Sequence, residues 1–243
     1  MTVVISTMEK ILDRCDLTFE EARMTLDEIL EGRFSEMEVA TFLTAMRVKS
    51  VTNNELAGLA RSLRNHAVRV SPKVDTLIDT CGTGGAKVKT FNVSTASAVV
   101  AAGAGVYVAK HGNRGITSKC GSADVLEALG VKIDAPSEIV ERCIEHANVG
   151  FMFAPFYHPG MKYVQPVRKQ LNFRTAFNIL GPLANPAGVK AQLMGVGHES
   201  LLERITETLR LLGSERAIVV HSNGLDEMSI ADKTSVCMLV GGR

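Results

Sequence analysis

Residues 77–95 read LIDTCGTGGAKVKTFNVST, and this stretch decides the fold class of the chain. It begins with a short apolar run of the kind found in buried strands. Three glycines within four residues, Gly82, Gly84 and Gly85, then permit a tight backbone turn. A helical pattern begins near Asn92. The stretch therefore predicts a strand, a glycine-rich turn and a helix, the unit from which parallel sheets are built.

Strands and helices keep alternating after residue 71. Short runs with strand character lie at residues 77–79, 106–108, 149–152, 192–196, 217–220 and 235–240. Runs with helical spacing lie between them at residues 95–102, 122–129, 137–146 and 200–212. Because parallel strands need a long crossover that is usually a helix, this order predicts an α/β domain with a mostly parallel central sheet over residues 71–243.

Residues 1–70 show only helical patterns. Three segments begin with Ser or Thr followed three positions later by Glu: Thr18 with Glu21, Ser35 with Glu38, and Thr52 with Glu55. In such a capping box each side chain bonds to a free amide at the helix N-terminus. Apolar residues recur behind each box at helical spacing, and a shorter helix is predicted over Met8–Arg14. We therefore expect a small domain of about four helices.

The composition excludes several classes of protein. The chain has 243 residues, of which 46% are hydrophobic and 22% charged, a balance typical of globular rather than disordered proteins. Its net charge of +1 argues against a nucleic-acid or membrane-surface partner. The five cysteines include no CxxC pair, the N-terminus lacks a signal-peptide pattern, and no apolar run is long enough for a membrane span. We expect a cytoplasmic protein with neither a zinc site nor disulfides.

The glycine turn is a candidate phosphate site. Its amides can face a ligand, and Ser94 and Thr95 follow at the predicted N-terminus of a helix, where free amides and the helix dipole favour an anion. The turn lacks the Gly-Lys-Ser/Thr of a Walker loop and the GxGxxG of a dinucleotide-binding loop. The alternative is an ordinary tight turn followed by a helix cap, since such turns are common between strands and helices.

A second candidate anion site follows the next predicted strand. The segment Lys110–Lys119 contains three cations, two glycines and two hydroxyl side chains, which suits an anionic ligand. A solvated basic loop is the alternative, and His111 fits a residue that braces the loop better than an acid or base. Because both segments leave strands at the same edge of the predicted sheet, they predict a ligand with two separate phosphate groups.

Two acidic residues and one arginine complete the candidate site residues. Asp226 and Glu227 follow the predicted strand at residues 217–220, and paired carboxylates are hard oxygen ligands suited to Mg²⁺. Neighbouring side chains of an extended chain point to opposite faces, so the pair fits two ions, or one direct and one water-mediated contact. A solvated acidic loop is the alternative. Arg168 can offer a planar fork to a carboxylate.

Four motifs in a fixed order point to a family. They are the Gly-Thr-Gly-Gly loop with Asn-Val-Ser-Thr, the Lys-His-Gly-Asn-Arg loop, the segment from Pro-Val-Arg to Asn-Ile-Leu-Gly-Pro-Leu-Ala-Asn-Pro, and the Asp-Glu pair. Together they resemble the motifs of the anthranilate phosphoribosyltransferases, and the resemblance covers the whole chain. It implies transfer of ribose 5-phosphate from phosphoribosyl pyrophosphate to the amine of anthranilate, with release of pyrophosphate, in tryptophan biosynthesis.

The resemblance also implies a fold, an assembly and a set of site residues. Members join a small helical domain to a large α/β domain of the nucleoside phosphorylase type, and they commonly form homodimers through the helical part. Part of the segment 160–188 packs with the helical domain in that fold. The residues implied to bind phosphoribosyl pyrophosphate are Gly82, Gly85, Ala86, Thr90, Asn92, Val93, Ser94, Thr95, Lys110, His111, Gly112, Asn113, Arg114, Gly115, Ile116, Thr117, Ser118 and Ser122.

Smaller sets are implied for the metal and the second substrate. Ser94, Asp226 and Glu227 would hold Mg²⁺. The residues implied to meet anthranilate are Gly82, Asn113 and Arg168, with Arg168 facing its carboxylate, and the catalytic residues are Lys110, Asn113 and Arg168. An aromatic amine is neutral at pH 7, so no catalytic base is nominated.

The chain departs from the family pattern at two places. The family's glycine loop usually continues Gly-Gly-Asp-Gly, whereas residues 84–87 here read Gly-Gly-Ala-Lys. This change predicts an altered Mg²⁺ dependence, with tighter substrate binding and slower product release. The family also continues beyond the strand at residues 235–240, where this sequence ends with Gly-Gly-Arg at residues 241–243. We therefore expect an uncovered apolar edge after Val240.

Two other functions stay open from the sequence. A pyrimidine-nucleoside phosphorylase of related fold would use phosphate in place of pyrophosphate, although the Cys-Gly-Thr-Gly-Gly loop and the Asp-Glu pair argue against it. A non-catalytic relative that binds nucleic acid would keep the fold, although the net charge of +1 and the complete set of substrate residues argue against it.

Overall fold

The computed structural model describes residues 3–88, 90–115 and 120–243. Contacts within the chain divide it into two compact units. The helical unit comprises Met1–Ala67 and His158–Ala184, and the α/β unit comprises Val68–Tyr157 and Asn185–Arg243. Among the described residues, no helix combines the length and the apolar character needed to cross a membrane.

The elements alternate along the chain much as the sequence predicts. The helices are α1 (Val3–Leu12), α2 (Phe19–Leu30), α3 (Glu36–Lys49), α4 (Asn53–Asn65), α5 (Val93–Gly103), α6 (Ser122–Ala128), α7 (Ser137–Ala147), α8 (Ala154–Tyr157), α9 (Gln165–Leu171), α10 (Phe177–Leu180) and α11 (Leu202–Leu211). The strands are β1 (Leu77–Gly82), β2 (Tyr107–Gly112), β3 (Val149–Phe153), β4 (Ala191–Gly195), β5 (Arg216–His221) and β6 (Ser235–Val240). Short 3₁₀ turns cover Pro159–Tyr163, Gly181–Leu183 and Glu199–Leu201.

The helical unit confirms the three predicted capping boxes. Thr18, Ser35 and Thr52 each accept a hydrogen bond from the amide three residues on, while the glutamate at that position reaches back to the cap amide. The first helix lies earlier than the predicted Met8–Arg14, because the chain turns at Arg14 with a left-handed φ of 59° and α1 ends before it. Helix α11 likewise begins two residues later than predicted, after a 3₁₀ turn.

One of the three boxes is also a buried ion pair. Glu55 has no exposed surface, and the Lys49 ammonium lies 3.0 Å from its Oε2 atom. The backbone amide of Leu17 donates to its Oε1 atom at 2.8 Å. The box therefore fixes the start of α4 and also ties two other segments of the helical unit to it.

The α/β unit is built on one sheet in the order β3-β2-β1-β4-β5-β6. Strands β1 to β5 run parallel, and β6 pairs antiparallel with β5 at the edge. The predicted mostly parallel sheet is confirmed. On the outer strand β6 the side chains of Val236, Met238 and Val240 are exposed.

Two strands run further than the sequence predicts. Strand β2 was expected to end at residue 108, with a loop from Lys110, yet Lys110 and His111 pair with Phe151 and Met152 of β3. Strand β1 likewise continues to Gly82. Lys110 fits inside the sheet because nearby carboxylates and a carbonyl balance its buried charge.

Helices cover both faces of the sheet. Ala98 and Ala102 of α5 pack against Val108, whereas Val140 and Ile144 of α7 pack in the cluster that contains Ala109. Successive residues of a strand point to opposite faces, so α5 and α7 lie on opposite sides. This is a doubly wound arrangement, in which ligands bind beyond the carboxyl ends of the strands.

Candidate active site

The sheet has a topological switch point between β1 and β4. From β1 the chain moves outward through β2 and β3, then returns to β4 on the other side of β1. The carboxyl ends of the two strands meet there, since Gly82 pairs with Gly195. A crevice outside these strand ends is where doubly wound sheets bind ligands.

The glycine loop closes on the end of β4. The amide of Thr83 donates to the carbonyl of Gly195 at 2.9 Å, and the amide of Gly197 donates to the Thr83 hydroxyl at 3.1 Å. A Cβ atom on Gly197 would lie 2.6 Å from the Gly84 carbonyl oxygen. Gly84 and Gly85 have φ values of 65° and 79°, which favour glycine. The sequence analysis missed residues 195–197, although a Gly-x-Gly at the end of a predicted strand was a visible signal.

The predicted helix N-terminus forms beside this loop. Helix α5 begins at Val93, so Ser94 and Thr95 lie in its first turn, and the Thr80 hydroxyl donates to the Ser94 carbonyl at 2.7 Å. The N-cap Asn92 makes no cap bond and instead donates to the Cys120 carbonyl at 3.2 Å. The buried Thr95 hydroxyl has no hydrogen-bond partner among the described residues. The helix dipole and this unpartnered hydroxyl suit an anionic ligand, while the amides of Val93 and Thr95 already donate to the carbonyls of Phe91 and Asn92.

The acidic pair reaches the same strand ends. A Cβ atom on Gly82 would lie 3.1 Å from Oδ2 of Asp226, and one on Gly195 would clash with the Asp226 carbonyl oxygen. Glycine at both strand ends therefore lets the segment with Asp226 and Glu227 lie directly over them. This close approach joins the third predicted motif to the first.

The carboxyl group of Glu227 has a raised pKa. Burial, and then repulsion from Asp226, raise its pKa to about 7, although Lys110 and a hydrogen bond from the Ser94 amide oppose the shift. Perturbed carboxyls of this kind concentrate at functional sites. A divalent cation held by this pair would relieve the repulsion, because it favours the charged form of both groups.

The donor set fits Mg²⁺. Two carboxylates and the Ser94 hydroxyl are hard oxygen donors, which Mg²⁺ prefers. Among residues 3–88, 90–115 and 120–243, no cluster of three or more His, Cys, Asp and Glu side chains could hold a metal ion. An ion here would therefore complete its octahedral shell with water and substrate phosphate oxygens, as is usual for Mg²⁺.

Lys110 is buried and influences two nearby carboxyl groups. Its Nζ atom donates to the Thr80 carbonyl at 2.6 Å, and its charge lowers the pKa values of both Asp79 and Glu227. Burial is nevertheless the stronger influence on Asp79 and raises its pKa. Asn185 donates to Oδ2 of Asp79 at 2.8 Å. Asp79 and Asn185 were not predicted as site residues from the sequence, although an Asp inside an apolar strand was an available signal.

The first residues of the basic loop contact the start of α6. His111 lies buried at the end of β2, and a Cβ atom on Gly112 would clash with the Ser122 hydroxyl, which donates to the Asn113 carbonyl at 3.3 Å. The Asn113 side chain accepts from the amide of Arg114 at 2.8 Å. These contacts bring Ser122 together with the start of the loop.

Arg114 is already neutralised by carboxylates. Its guanidinium donates to Asp124 at 3.0 Å and to Glu127 at 2.7 and 3.0 Å, and it lies 5.6 Å from the ring centroid of Phe153. Asp124 also accepts from the amides of Gly115 and Gly121, which lowers its pKa. The role of Arg114 in substrate binding stays a prediction, and in this arrangement the guanidinium holds the loop to α6.

The remaining predicted residues divide into three groups. Ala86 is a buried residue of the glycine loop, and Thr90 is exposed just before α5. Ile116, Thr117 and Ser118 lie outside the described residues. Arg168 belongs to the helical unit, on α9.

Arg168 differs from Arg114 in its partners. Its guanidinium lies 5.5 Å from the ring centroid of Phe177 and makes a long contact of 3.4 Å with the Gln165 amide oxygen. No carboxylate pairs with it within the described residues, and burial lowers its pKa. A half-buried guanidinium without a counter-ion is suited to a carboxylate ligand.

Family models match both units. The helical bundle domain of a glycosyl transferase family matches residues 5–67, and the a/b domain of that family matches residues 74–243. The anthranilate phosphoribosyltransferase of Desulfatibacillum aliphaticivorans is 50% identical over 236 residues, which cover 97% of this chain and 70% of that protein. The anthranilate phosphoribosyltransferase of Methanocorpusculum labreanum is 48% identical over 242 residues, which cover 99% of this chain and 71% of that protein.

Solved structures share the same fold. The anthranilate phosphoribosyltransferase of Thermus thermophilus superposes with a TM-score of 0.89 at 40% identity, covering 96% of this chain and 73% of that one. The anthranilate phosphoribosyltransferase of Saccharomyces cerevisiae in complex with PRPP and Mg superposes with a TM-score of 0.87 at 30% identity, covering 97% of this chain and 72% of that one.

Proposed function

The chain belongs to the anthranilate phosphoribosyltransferase family, and we propose how its own residues carry out the family's reaction. It transfers the 5-phosphoribosyl group from phosphoribosyl pyrophosphate to the amine of anthranilate, giving N-(5-phosphoribosyl)anthranilate and pyrophosphate in tryptophan biosynthesis. Residues 71–243 act as the domain that binds phosphoribosyl pyrophosphate. Residues 1–70, with part of 160–188, act as the helical domain.

One observation carries this assignment of roles. The glycine loop, the N-terminus of α5 and the acidic pair meet at the switch point of the sheet. The loop offers backbone amides and the helix offers the Thr95 hydroxyl to phosphate groups, while the carboxylates of Asp226 and Glu227, with Ser94, would hold Mg²⁺. Anion donors and metal ligands at one edge are the combination that a magnesium-bound diphosphate requires.

Departure of pyrophosphate is the step that the α/β unit assists. The bond between ribose C1 and the pyrophosphate oxygen breaks, and positive charge develops on the ribose ring while negative charge develops on the leaving group. Bound Mg²⁺ supplies positive charge next to that leaving group. Lys110 and the amides of the glycine loop stabilise the same negative charge, and they are already in place before the reaction.

Placement of the amine is the second requirement. Arg168 binds the carboxylate of anthranilate through its planar fork, and Asn113 contacts the same substrate. The neutral amine attacks C1 as the pyrophosphate leaves with the electrons of the broken C–O bond. After the C–N bond forms, the amine proton passes to the departed pyrophosphate or to water. This sequence needs no strong base, and none is assigned.

The assembly and location are part of the proposal. Large apolar side chains are exposed on the helical unit at Leu12, Met37 and Val48, which supports a homodimer formed through this unit. A mass of two chains in light scattering, reduced to one chain by Met37→Glu, would support it, whereas a wild-type monomer would refute it. The place of the enzyme in tryptophan biosynthesis supports a cytoplasmic location.

A fluorescence assay tests the function. Anthranilate consumption is followed with phosphoribosyl pyrophosphate and Mg²⁺, for the wild type and for Arg168→Ala. We expect turnover by the wild type, released pyrophosphate equal to the anthranilate consumed, and a large loss in the variant. No turnover by purified, folded protein would refute the activity.

The same protein distinguishes the alternatives. Phosphorolysis of thymidine or uridine would favour a nucleoside phosphorylase. Salt-dependent DNA binding without anthranilate turnover would favour a nucleic-acid binder. We expect neither.

A further inference from the structure

The acidic pair follows a tight turn at the end of β5. The amide of Ser222 donates to the carbonyl of Leu225 at 3.0 Å, and the amide of Leu225 donates back at 2.7 Å. The two central residues, Asn223 and Gly224, have φ values of 36° and 88°. Positive φ at both positions, with an Asn-Gly sequence, is the pattern of a type I′ hairpin turn. The turn sets the direction in which the chain enters Asp226.

His221 ties this turn to the neighbouring strand. Its Nδ1 atom lies 2.8 Å from the carbonyl oxygen of Val196, and its Nε2 atom lies 3.3 Å from the amide nitrogen of Gly224. A carbonyl can only accept and an amide N–H can only donate, so Nδ1 carries the proton and Nε2 accepts. The two partners therefore select one neutral tautomer of the imidazole.

Other contacts also hold the turn, among them the side chains of Ser222 and Asn223, which donate to the Lys233 carbonyl at 2.9 Å and to Asp232 at 2.5 Å. The amide of Val88, which follows the glycine loop, donates to the Gly224 carbonyl at 3.2 Å. The Asp226 carbonyl rests on Gly195 at the end of β4. Among the described residues, the side chain of His221 is the link between the turn and the segment after β4.

We propose that His221 is a positioning residue for the metal site, which fixes the turn and thereby holds the carboxylates of Asp226 and Glu227 where they can bind one ion. It acts through the backbone of the turn and touches neither substrate nor metal. The inference rests on the proposed function, because that function assigns these carboxylates to Mg²⁺. Two adjacent carboxylates repel each other, so an unsupported turn would let them move apart and weaken the site.

Two substitutions each keep one half of the link. His221→Asn keeps a donor near the Nδ1 position and loses the acceptor for Gly224. His221→Gln places an amide oxygen near the Nε2 position and loses the donor for Val196. His221→Phe keeps the ring and loses both. The matched control is His198→Gln, because His198 also bonds to a nearby backbone amide after β4 but lies exposed outside the proposed site.

The primary measurement is binding of Mn²⁺ in the presence of phosphoribosyl pyrophosphate, followed by electron paramagnetic resonance. We expect an affinity about 10-fold weaker in His221→Asn and His221→Gln, weaker still in His221→Phe, and unchanged in His198→Gln, as for other residues that orient metal ligands. In steady-state kinetics the half-saturating Mg²⁺ concentration should rise to the same extent, while KM for anthranilate stays within about twofold.

Each outcome decides a different claim. Mn²⁺ affinity within about twofold of wild type in all three His221 variants would overturn the positioning role. Absence of Mn²⁺ binding by the wild type with phosphoribosyl pyrophosphate would overturn it as well, since there would be no site to position. Tight, His221-dependent Mn²⁺ binding without anthranilate turnover would support the positioning role and refute the proposed function. The Asn and Gln variants keep the test possible should His221→Phe fail to fold.

Discussion

Two groups of charged side chains lie in the α/β unit, and they differ in whether their charges are balanced. In the first, Arg114 donates to both Asp124 and Glu127, which raises the pKa of the arginine and lowers the pKa of each acid. In the second, burial and then repulsion from Asp226 raise the pKa of Glu227 to about 7 despite the opposing charge of Lys110. Both groups follow strands of one sheet, yet only the second gains from a further charge.

The difference teaches how to separate structural from functional charge. Arg114 was nominated for phosphate because of its type and place in a basic loop, and the structure shows its charge already engaged in holding that loop to α6. Asp226 and Glu227 could have been a solvated acidic loop from sequence alone. Their repulsion, and the burial of Glu227, instead favour the proposal that they are ligands for a cation.

The comparison extends to the helical unit, where the largest single effect is expected. Arg168 lacks a carboxylate partner within the described residues and should behave as an unbalanced charge. Loss of its bond to the anthranilate carboxylate in Arg168→Ala should cost about 1.5–3 kcal/mol, or roughly 10- to 150-fold in kcat/KM for anthranilate. Initial rates against anthranilate concentration measure it. Arg168→Lys keeps the charge but not the planar fork, so its kcat/KM for anthranilate should lie between those of the wild type and Arg168→Ala. A loss of kcat/KM below about threefold in Arg168→Ala would contradict the role assigned to this unpaired charge.

Arg114→Ala removes an arginine that is paired with carboxylates, in contrast to Arg168→Ala. Because two carboxylates already neutralise this guanidinium, we expect its removal to lower kcat/KM for phosphoribosyl pyrophosphate by no more than about fivefold. KM for both substrates should be measured beside Arg168→Ala. A loss as large as that of Arg168→Ala would mean that substrate displaces Asp124 and Glu127 from Arg114.

Adding a third acidic residue near Asp226 and Glu227 should change the Mg²⁺ dependence of turnover. Ala86 occupies the position of the family's usual Asp in the glycine loop and is buried. We expect Ala86→Asp to shift the half-saturating Mg²⁺ concentration by about threefold, because a third carboxylate then lies near the diphosphate. Ala86→Asn is the uncharged control. An unchanged Mg²⁺ profile in Ala86→Asp would contradict the effect assigned to this departure.

The smallest effect concerns stability without metal. Glu227 has a folded pKa of about 7, above its unfolded value of 4.5, so it binds more protons when folded. Its contribution to stability is therefore lost as pH rises from about 4.5 to 7. Tm of Glu227→Gln should exceed that of the wild type by a few degrees at pH 8, and the difference should vanish near pH 4.5.

This test must use the difference in Tm between the wild type and Glu227→Gln at each pH. Burial lowers the pKa of His158 to about 4, below its usual 6.5, so this group contributes stability above pH 6.5 that is lost as pH falls toward 4. The two trends oppose each other in the wild type, but both proteins contain His158, so its trend cancels in the Tm difference and the trend from Glu227 remains. A pH-independent Tm difference would contradict the raised pKa.

The sequence predicted the features that depend on nearby residues. Thr18 with Glu21 forms a capping box because its partners are three positions apart, and all three boxes are present. The alternation of strands and helices likewise predicted the parallel sheet. Strand ends were less accurate, because Lys110 and His111 look like loop residues until their pairing with β3 is known.

The rest of the site depends on contacts between distant residues. Asp79 and Asn185 are 106 positions apart, and only the folded chain brings them together. The neutralisation of Arg114 and the contact of Asp226 with Gly195 are tertiary in the same way. Motif order could therefore nominate residues, but it could not say which charges are balanced.

Titration of turnover with Mg²⁺ tests the central claim most directly, using one substitution in both groups. Anthranilate consumption is measured over a range of Mg²⁺ concentrations for the wild type, Glu127→Gln and Glu227→Gln. Glu127 is already paired with Arg114, so Glu127→Gln should keep the Mg²⁺ concentration at half-maximal turnover within about twofold of the wild-type value. Glu227→Gln should shift that concentration by about 10-fold or more. Equal shifts in the two variants, or none in Glu227→Gln, would contradict the account.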